Sequence, residues 1–271
     1  MTSLENSKVS TVWVGKVIGV VAVLLFCSCA LCACKGQPTE GAIKKELLIY
    51  CGTTMAPAIR EISNLFEQRE NCIVKIIKDG SGSLHRSIHI NQVGDLYLPG
   101  SESYIEKCQA EGTVVESQPV GVNRAVLLVA EGNPLHISSD LDNFINGKYR
   151  TVLGAPESGS IGRETRIILN MEGLYRKAVG QALFLATDSK DLENAIKENR
   201  ADLTLNWYAA ALRDNENAVD VVPLEKSIAP PNVLTLGLLK TSHHPELARH
   251  YMALMSSSAG QDIFSRYGFG E

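Results

Sequence analysis

The strongest constraint on the fold is a repeated passage in the chain. A short apolar run leads through a turn rich in Gly, Ser and Thr into an amphipathic stretch. The runs are Leu47–Tyr50, Ile73–Ile77, Asp95–Leu98, Arg124–Ala130, Thr151–Leu153, Asp202–Leu205, Val219–Val222 and Val233–Leu239. Several are continuously apolar, as strands covered on both faces must be. Between them lie helical stripes: Ile59, Ile62, Leu65 and Phe66; Leu192, Ala195 and Ile196; and Leu247, Tyr251, Met252 and Met255. Such alternation predicts an α/β fold with mostly parallel sheets flanked by helices. No internal repeat at a fixed period is visible.

The turns before the helices are the informative part. Cys51-Gly52-Thr53-Thr54 follows the first run and Lys78-Asp79-Gly80-Ser81-Gly82-Ser83 the second. Ala155 to Gly162, containing Ser158-Gly159-Ser160-Ile161, follows Thr151–Leu153, and Thr187-Asp188-Ser189 opens a fourth helix. At each start, free backbone N–H groups and the positive end of the helix dipole point outward. In open α/β sheets the carboxyl ends of strands face the ligand crevice. The hydroxyls of Thr54, Ser81 and Ser160 would add neutral donors. Converging starts would hold a small anion without a lysine. The alternative is ordinary capping, in which Ser and Thr satisfy only their own helices.

Enzyme motifs are thin. Gly80-Ser81-Gly82-Ser83 has the wrong register for a nucleophile elbow, and neither a P-loop nor Gly-x-Gly-x-x-Gly occurs. His85 and His89 are four apart, but two imidazoles alone make a poor metal site. Trp207 and Tyr208 end a run where an aromatic is either core or cleft lining.

The N-terminal segment reads as separate from the fold. Val17 to Leu31 is apolar, broken by Gly19 and Ser28, and preceded by Lys8 and Lys16. This pattern, ending in small residues, predicts a secretory signal over residues 1–33. Leu31-Cys32-Ala33-Cys34 resembles a bacterial lipobox, which implies cleavage before a lipid-bearing Cys34. Residues 34–46 then read as a tether. Cys51, Cys72 and Cys108 remain, at spacings that match no zinc pattern, and three buried thiols are expected rather than a disulfide. With 26 Lys+Arg against 30 Asp+Glu, the formal charge of −4 argues against a nucleic-acid partner.

The length exceeds a comfortable single core. Lobe one is expected over 47–122 plus 223–271 and lobe two over 123–222. Pro119, Gly121, Pro223 and Pro230-Pro231 mark the two crossings.

Six ordered pieces carry a family resemblance: LLIYCGTTMAPAIREISNLFE, IIKDGSGSLHRSI, GDLYLPGSESYIEK, LGAPESGSIGRET, ENRADLTLNWYAAA and AGQDIFSRYGF. With them the chain resembles the periplasmic molybdate-binding proteins of ABC transporters, in the type II solute-binding superfamily. The resemblance implies two α/β lobes with two hinge crossings, closing over a tetrahedral oxyanion, molybdate or a close analogue such as tungstate. It implies ligand contacts at Thr54 and Ser81 in lobe one. In lobe two it implies contacts at the amides of Ile161 and Ser189, and at Trp207 or Tyr208 in place of a tyrosine. It implies no cofactor, no resident metal and no catalysis. The expected partners are a membrane permease with its separate ATPase, and the location is the extracytoplasmic membrane face, held by lipid on Cys34. Threonine at 54 keeps a hydroxyl where the family has serine, whereas Trp207 would lose one. A secreted serine-type hydrolase, and a sensor binding the same anion, are the competing readings.

Overall fold

The structure is a computed structural model and describes residues 44–212 and 219–270. The expected signal segment, Cys34 and the tether as far as Ile43 lie outside the described residues.

Two five-stranded sheets organise the chain. The first contains β1 (Glu46–Gly52), β2 (Ile73–Asp79), β3 (Leu96–Leu98), β4 (Val114–Asn123) and β10 (Asn232–Leu239), in the order β2-β1-β3-β10-β4. The second contains β5 (Ala125–Ala130), β6 (Thr151–Gly154), β7 (Leu185–Ala186), β8 (Leu203–Trp207) and β9 (Val219–Pro223), in the order β7-β6-β8-β5-β9. In each sheet one strand, β10 or β5, runs against the other four. The two orders superimpose strand for strand, with β1 matching β6, β2 matching β7 and β3 matching β8. The molecule therefore repeats one topology twice, although the sequence shows no repeat.

The chain crosses between sheets at Asn123–Ala125 and again between Pro223 and Asn232. The second crossing returns β10 to the interior of the first sheet. Lobe one carries α1 (Ala56–Glu70), α2 (Ser81–Asn91), α3 (Ser103–Ala110), α8 (Pro245–Ser256) and α9 (Ser258–Arg266). Lobe two carries α4 (Ser160–Met171), α5 (Tyr175–Gln181), α6 (Ser189–Lys197) and the short α7 (Tyr208–Ala211).

The inner strands β1, β3 and β10 of the first sheet are buried on both faces, which explains their unbroken apolar runs. Leu47, Ile49 and Cys51 of β1 face a cluster with Ile59, Ile62 and Phe66 of α1 and Tyr251 and Met255 of α8. Tyr50, on the opposite face, packs with Leu84 and Ile88 of α2 and Ile105 and Cys108 of α3. A second large core fills lobe two, from Leu127 and Leu128 of β5 to Leu192, Ala195 and Ile196 of α6. Each such side chain contributes about 1.5–3 kcal/mol on burial. Cys51, Cys72 and Cys108 are buried and free.

Two strands are absent from the sequence reading. β7 has two residues, too few for a pattern. β4 reads as a loop because Val114–Asn123 is polar and contains Pro119 and Gly121. Proline is excluded from central strands but not from edges or bulges. β4 is the edge strand, and the pairing register slips beside Pro119, between Leu234 and Thr235.

Candidate functional site

The four helix starts converge. One small cavity, about 20 Å³, is walled by Gly52-Thr53-Thr54 after β1 and Asp79-Gly80-Ser81 after β2. Gly159-Ser160-Ile161 after β6, Asp188-Ser189 after β7 and Trp207 at the end of β8 close it from lobe two. Gly100, past the end of β3, and Asn123, at the crossing, complete it. The ends of β1, β2 and β3 and of their counterparts β6, β7 and β8 therefore all contribute. Its volume is on the order of one or two water molecules, far below the roughly 300 Å³ at which pockets for drug-sized molecules begin. The geometry suits an ion rather than a sugar or peptide.

Capping does not account for the donors. The helical turn at Thr53 and helices α2 and α4 start with Gly52, Gly80 and Gly159 as N-caps, and none has a side-chain cap. Glycine here leaves the first-turn amides without a side-chain acceptor, although on α2 those of Gly82 and Ser83 are taken by the Ser158 carbonyl. α6 differs, because Asp188 accepts from the amides of Lys190 and Asp191. The amides of Ser160, Ile161 and Ser189 have no acceptor within their own helices.

The hydroxyls divide by role. Ser81 Oγ accepts from the Gly100 amide (3.0 Å), so its own hydrogen remains free. Ser160 Oγ likewise accepts the indole N–H of Trp207 at 3.2 Å. Thr54 is 5% exposed, and its hydroxyl has no protein partner among the described residues. Ser189 Oγ is committed, donating to Asn206 Oδ1 at 2.8 Å. That same oxygen accepts the Trp207 amide (2.8 Å), and Asn206 Nδ2 donates to the Ser189 carbonyl (2.9 Å). Asn206 thus positions both Ser189 and Trp207.

Trp207 and Tyr208 are placed differently. Trp207, 1% exposed, lines the cavity. Tyr208 lies outside it, half-buried, with the Arg124 guanidinium 5.1 Å from its ring centre. Trp207 is the last residue of β8 and Tyr208 the first of α7.

Asn123 and Gly100 are cavity residues that sequence reasoning missed. Asn123 Nδ2 donates to the Gly100 carbonyl (3.2 Å), which leaves buried Oδ1 without a partner. Gly100 follows the run Asp95–Leu98, so the strand-end rule could have found it. Nothing in the sequence marks Asn123.

The lobes touch directly around the cavity. Ser158 O of lobe two accepts from Gly82 N (2.9 Å) and Ser83 N (3.2 Å) of α2. Thr53 Oγ1 donates to Asp188 Oδ2 at 3.0 Å. Glycine is required at this approach: a Cβ at Gly82 would sit 2.3 Å from Glu157 O, and one at Gly80 would sit 2.4 Å from Ser158 O. Further out, Asn232 Nδ2 donates to Glu164 Oε2 (2.7 Å) while accepting from Ser101. Burial raises the Glu164 carboxyl above its ordinary range, against the lowering effect of that Asn232 bond. Beside the cavity, and sharing Thr53 with it, a groove of about 410 Å³ is lined by Arg60, Lys78 and Lys190, together with Glu193.

Among the described residues, Ser81 has no histidine hydrogen-bonded to it. His85, one helical turn past Ser81, pairs instead with Glu111 at 2.8 Å. His89 does not join it.

A two-lobed molecule with a donor-lined cavity between repeated sheets defines a solute-binding protein. The chain belongs to the bacterial extracellular solute-binding protein family, matched over residues 47–270, and is a transport component rather than an enzyme. It is similar to the molybdate-binding protein ModA of Mycobacterium tuberculosis, 23% identical over 268 residues, 96% of this chain and 99% of that one. Its fold resembles the periplasmic molybdate-binding protein of Azotobacter vinelandii, with a TM-score of 0.71 at 16% identity over 83% of this chain and 99% of that one. It also resembles the sulfate-binding protein SubI of M. tuberculosis, with a TM-score of 0.74 at 13% identity over 83% and 86% of the two chains.

Proposed function

We propose that the chain captures a tetrahedral oxyanion between its lobes, molybdate first and tungstate second, and delivers it to an ABC permease powered by a separate ATPase. The observation that carries this reading is the convergence of uncapped helix starts and free hydroxyls from both lobes on one small cavity. The molybdate-binding relatives support the choice of anion. Thr54 and Ser81 supply hydroxyl donors and Ser160, Ile161 and Ser189 backbone amides, while Trp207 walls the cavity with its indole N–H held by Ser160 Oγ. Tyr208 is not among them.

Neutral donors bind a fixed dianion through charge-assisted hydrogen bonds, each contributing about 1.5–3 kcal/mol net. Several together offset the cost of association and reach micromolar to nanomolar affinity, about −8 to −12 kcal/mol. An anion larger than the cavity enters with the lobes parted about the two crossings and is enclosed when they close. Lipid on Cys34 holds the protein at the extracytoplasmic membrane face, more than one acyl chain being needed for durable anchoring. A sensor would use the same cavity and differ only in its membrane partner.

The test is a thermal-shift panel with molybdate, tungstate, sulfate, phosphate and a neutral sugar. A ligand at 100 times its Kd adds about 2.7 kcal/mol of stability. Molybdate and tungstate should shift the transition and the sugar should not. No shift with any oxyanion overturns the reading. Radiolabelled palmitate incorporation that survives Cys34→Ala would overturn the anchor.

A further inference from the structure

Lobe one holds a cluster that the anion cavity does not use. His85 on α2, and Cys108 and Glu111 at the end of α3, bring one ligand atom each to within 4.8 Å of the other two. We propose that these three side chains form a site for a borderline-soft divalent cation, zinc by preference, with water as the fourth ligand.

The chemistry of the set supports zinc. Thiolate and imidazole select zinc and copper over magnesium and calcium, and three protein ligands plus water is an established zinc arrangement. Ligands bound to zinc at tetrahedral angles stand about 3.5 Å apart, given Zn–N near 2.0 Å and Zn–S near 2.3 Å. The observed separations need only small side-chain adjustments to reach this.

The backbone is already arranged. Cys108 and Glu111 are three apart at the end of α3, so they share a face. Thr113 N bonds Cys108 O (2.8 Å) and Glu111 N bonds Lys107 O (3.0 Å), which fixes the turn that presents them. His85 Nε2 already lies 2.8 Å from Glu111 Oε2. There is a route in: the side chains of Glu111 and His85 are 35% and 11% exposed, whereas Cys108 is sealed on the core side.

Binding is a ligand exchange with no redox change. The Cys108 S–H bond breaks, its proton leaves to solvent, and an S–metal bond forms. His85 and Glu111 give up their mutual hydrogen bond for bonds to the metal. The ligands come from sequence positions too scattered to form a zinc motif, which is why spacing arguments miss them. The site lies wholly in lobe one and is independent of the anion reading.

The experiment is competition for zinc chloride between the intact protein and a chromogenic chelator, with cobalt absorption as a second readout. The expected result is one zinc per chain. His85→Gln and Cys108→Ser should each weaken binding at least about tenfold, since even outer partners of metal ligands are worth 10–100-fold. Cobalt should give a thiolate charge-transfer band that Cys108→Ser abolishes. Because Cys108 is buried, His85→Gln is the variant that separates loss of metal from loss of fold. His89→Gln serves as the control and should bind as wild type. No zinc taken from the chelator, equal binding by wild type and His85→Gln, or a cobalt complex without the thiolate band would each overturn the proposal.

Discussion

The two lobes share one strand order but meet the cavity differently. Lobe one offers hydroxyls with free hydrogens, Thr54 and Ser81, while the amides of Gly82 and Ser83 on α2 are taken by the Ser158 carbonyl. Lobe two offers mainly amides, at Ser160, Ile161 and Ser189, and its Ser189 hydroxyl is tied to Asn206. Equivalent positions in a repeated topology thus do unequal work. In the proposed binding mode, the helix start of lobe one serves closure and its side chain the ligand, whereas in lobe two the backbone serves the ligand, with Asn206 and Trp207 holding it in place. Topology sets where donors gather, and local hydrogen bonding sets which atom is left to donate.

The largest test of this contrast is Gly82→Ala. Its added Cβ would meet backbone atoms of Glu157, at 2.3 and 3.0 Å, which cannot move aside cheaply. Molybdate affinity measured by calorimetry should fall about 100-fold, equivalent to about 2.7 kcal/mol, with thermal stability little changed. Affinity within threefold of wild type would mean that the lobes do not close through this contact.

A smaller effect separates the two kinds of serine. Ser81→Ala should weaken anion binding by about 1.5–2 kcal/mol, and Thr54→Ala by somewhat less. Ser189→Ala should instead lower stability by about 1 kcal/mol, because the bond lost is internal, and leave affinity close to wild type. Equal affinity losses in Ser81→Ala and Ser189→Ala would erase the distinction drawn between the lobes.

The smallest expected effect is a pH dependence at the lobe contact made by Glu164. Its carboxyl titrates above the ordinary range when folded, chiefly through burial. Between the ordinary value and the raised one, the native state holds a proton that the unfolded state has released. Stability therefore falls as pH rises through that window. Glu164→Gln should flatten this limb of the stability curve in chemical denaturation. An unchanged slope would show that another group is responsible.

Much of this was legible in the sequence for physical reasons. Buried strands must be apolar on both faces, and helix starts must leave amides free, so the alternation and the Gly-Ser-Thr turns could be read directly. What escaped was either too polar, too short or too non-local. Edge strand β4 tolerates Pro119 and Gly121 because one side needs no ladder. Asn123 reaches the cavity only because the chain crosses there. Asn206 acts through residues it meets only in the fold. The duplication is invisible because what repeats is strand order, while the side chains have diverged.

The place of β10 has a consequence for how the chain comes to be made. This strand lies between β3 and β4 yet follows all of lobe two in the sequence. A polypeptide emerging from its N-terminus can assemble the second lobe from one uninterrupted stretch. The first lobe must wait, with a gap at its middle, until almost the last segment arrives. Loss of the C-terminal seventh or so of the chain, β10 included, would therefore damage the half that begins the protein, and leave intact the half that was finished first.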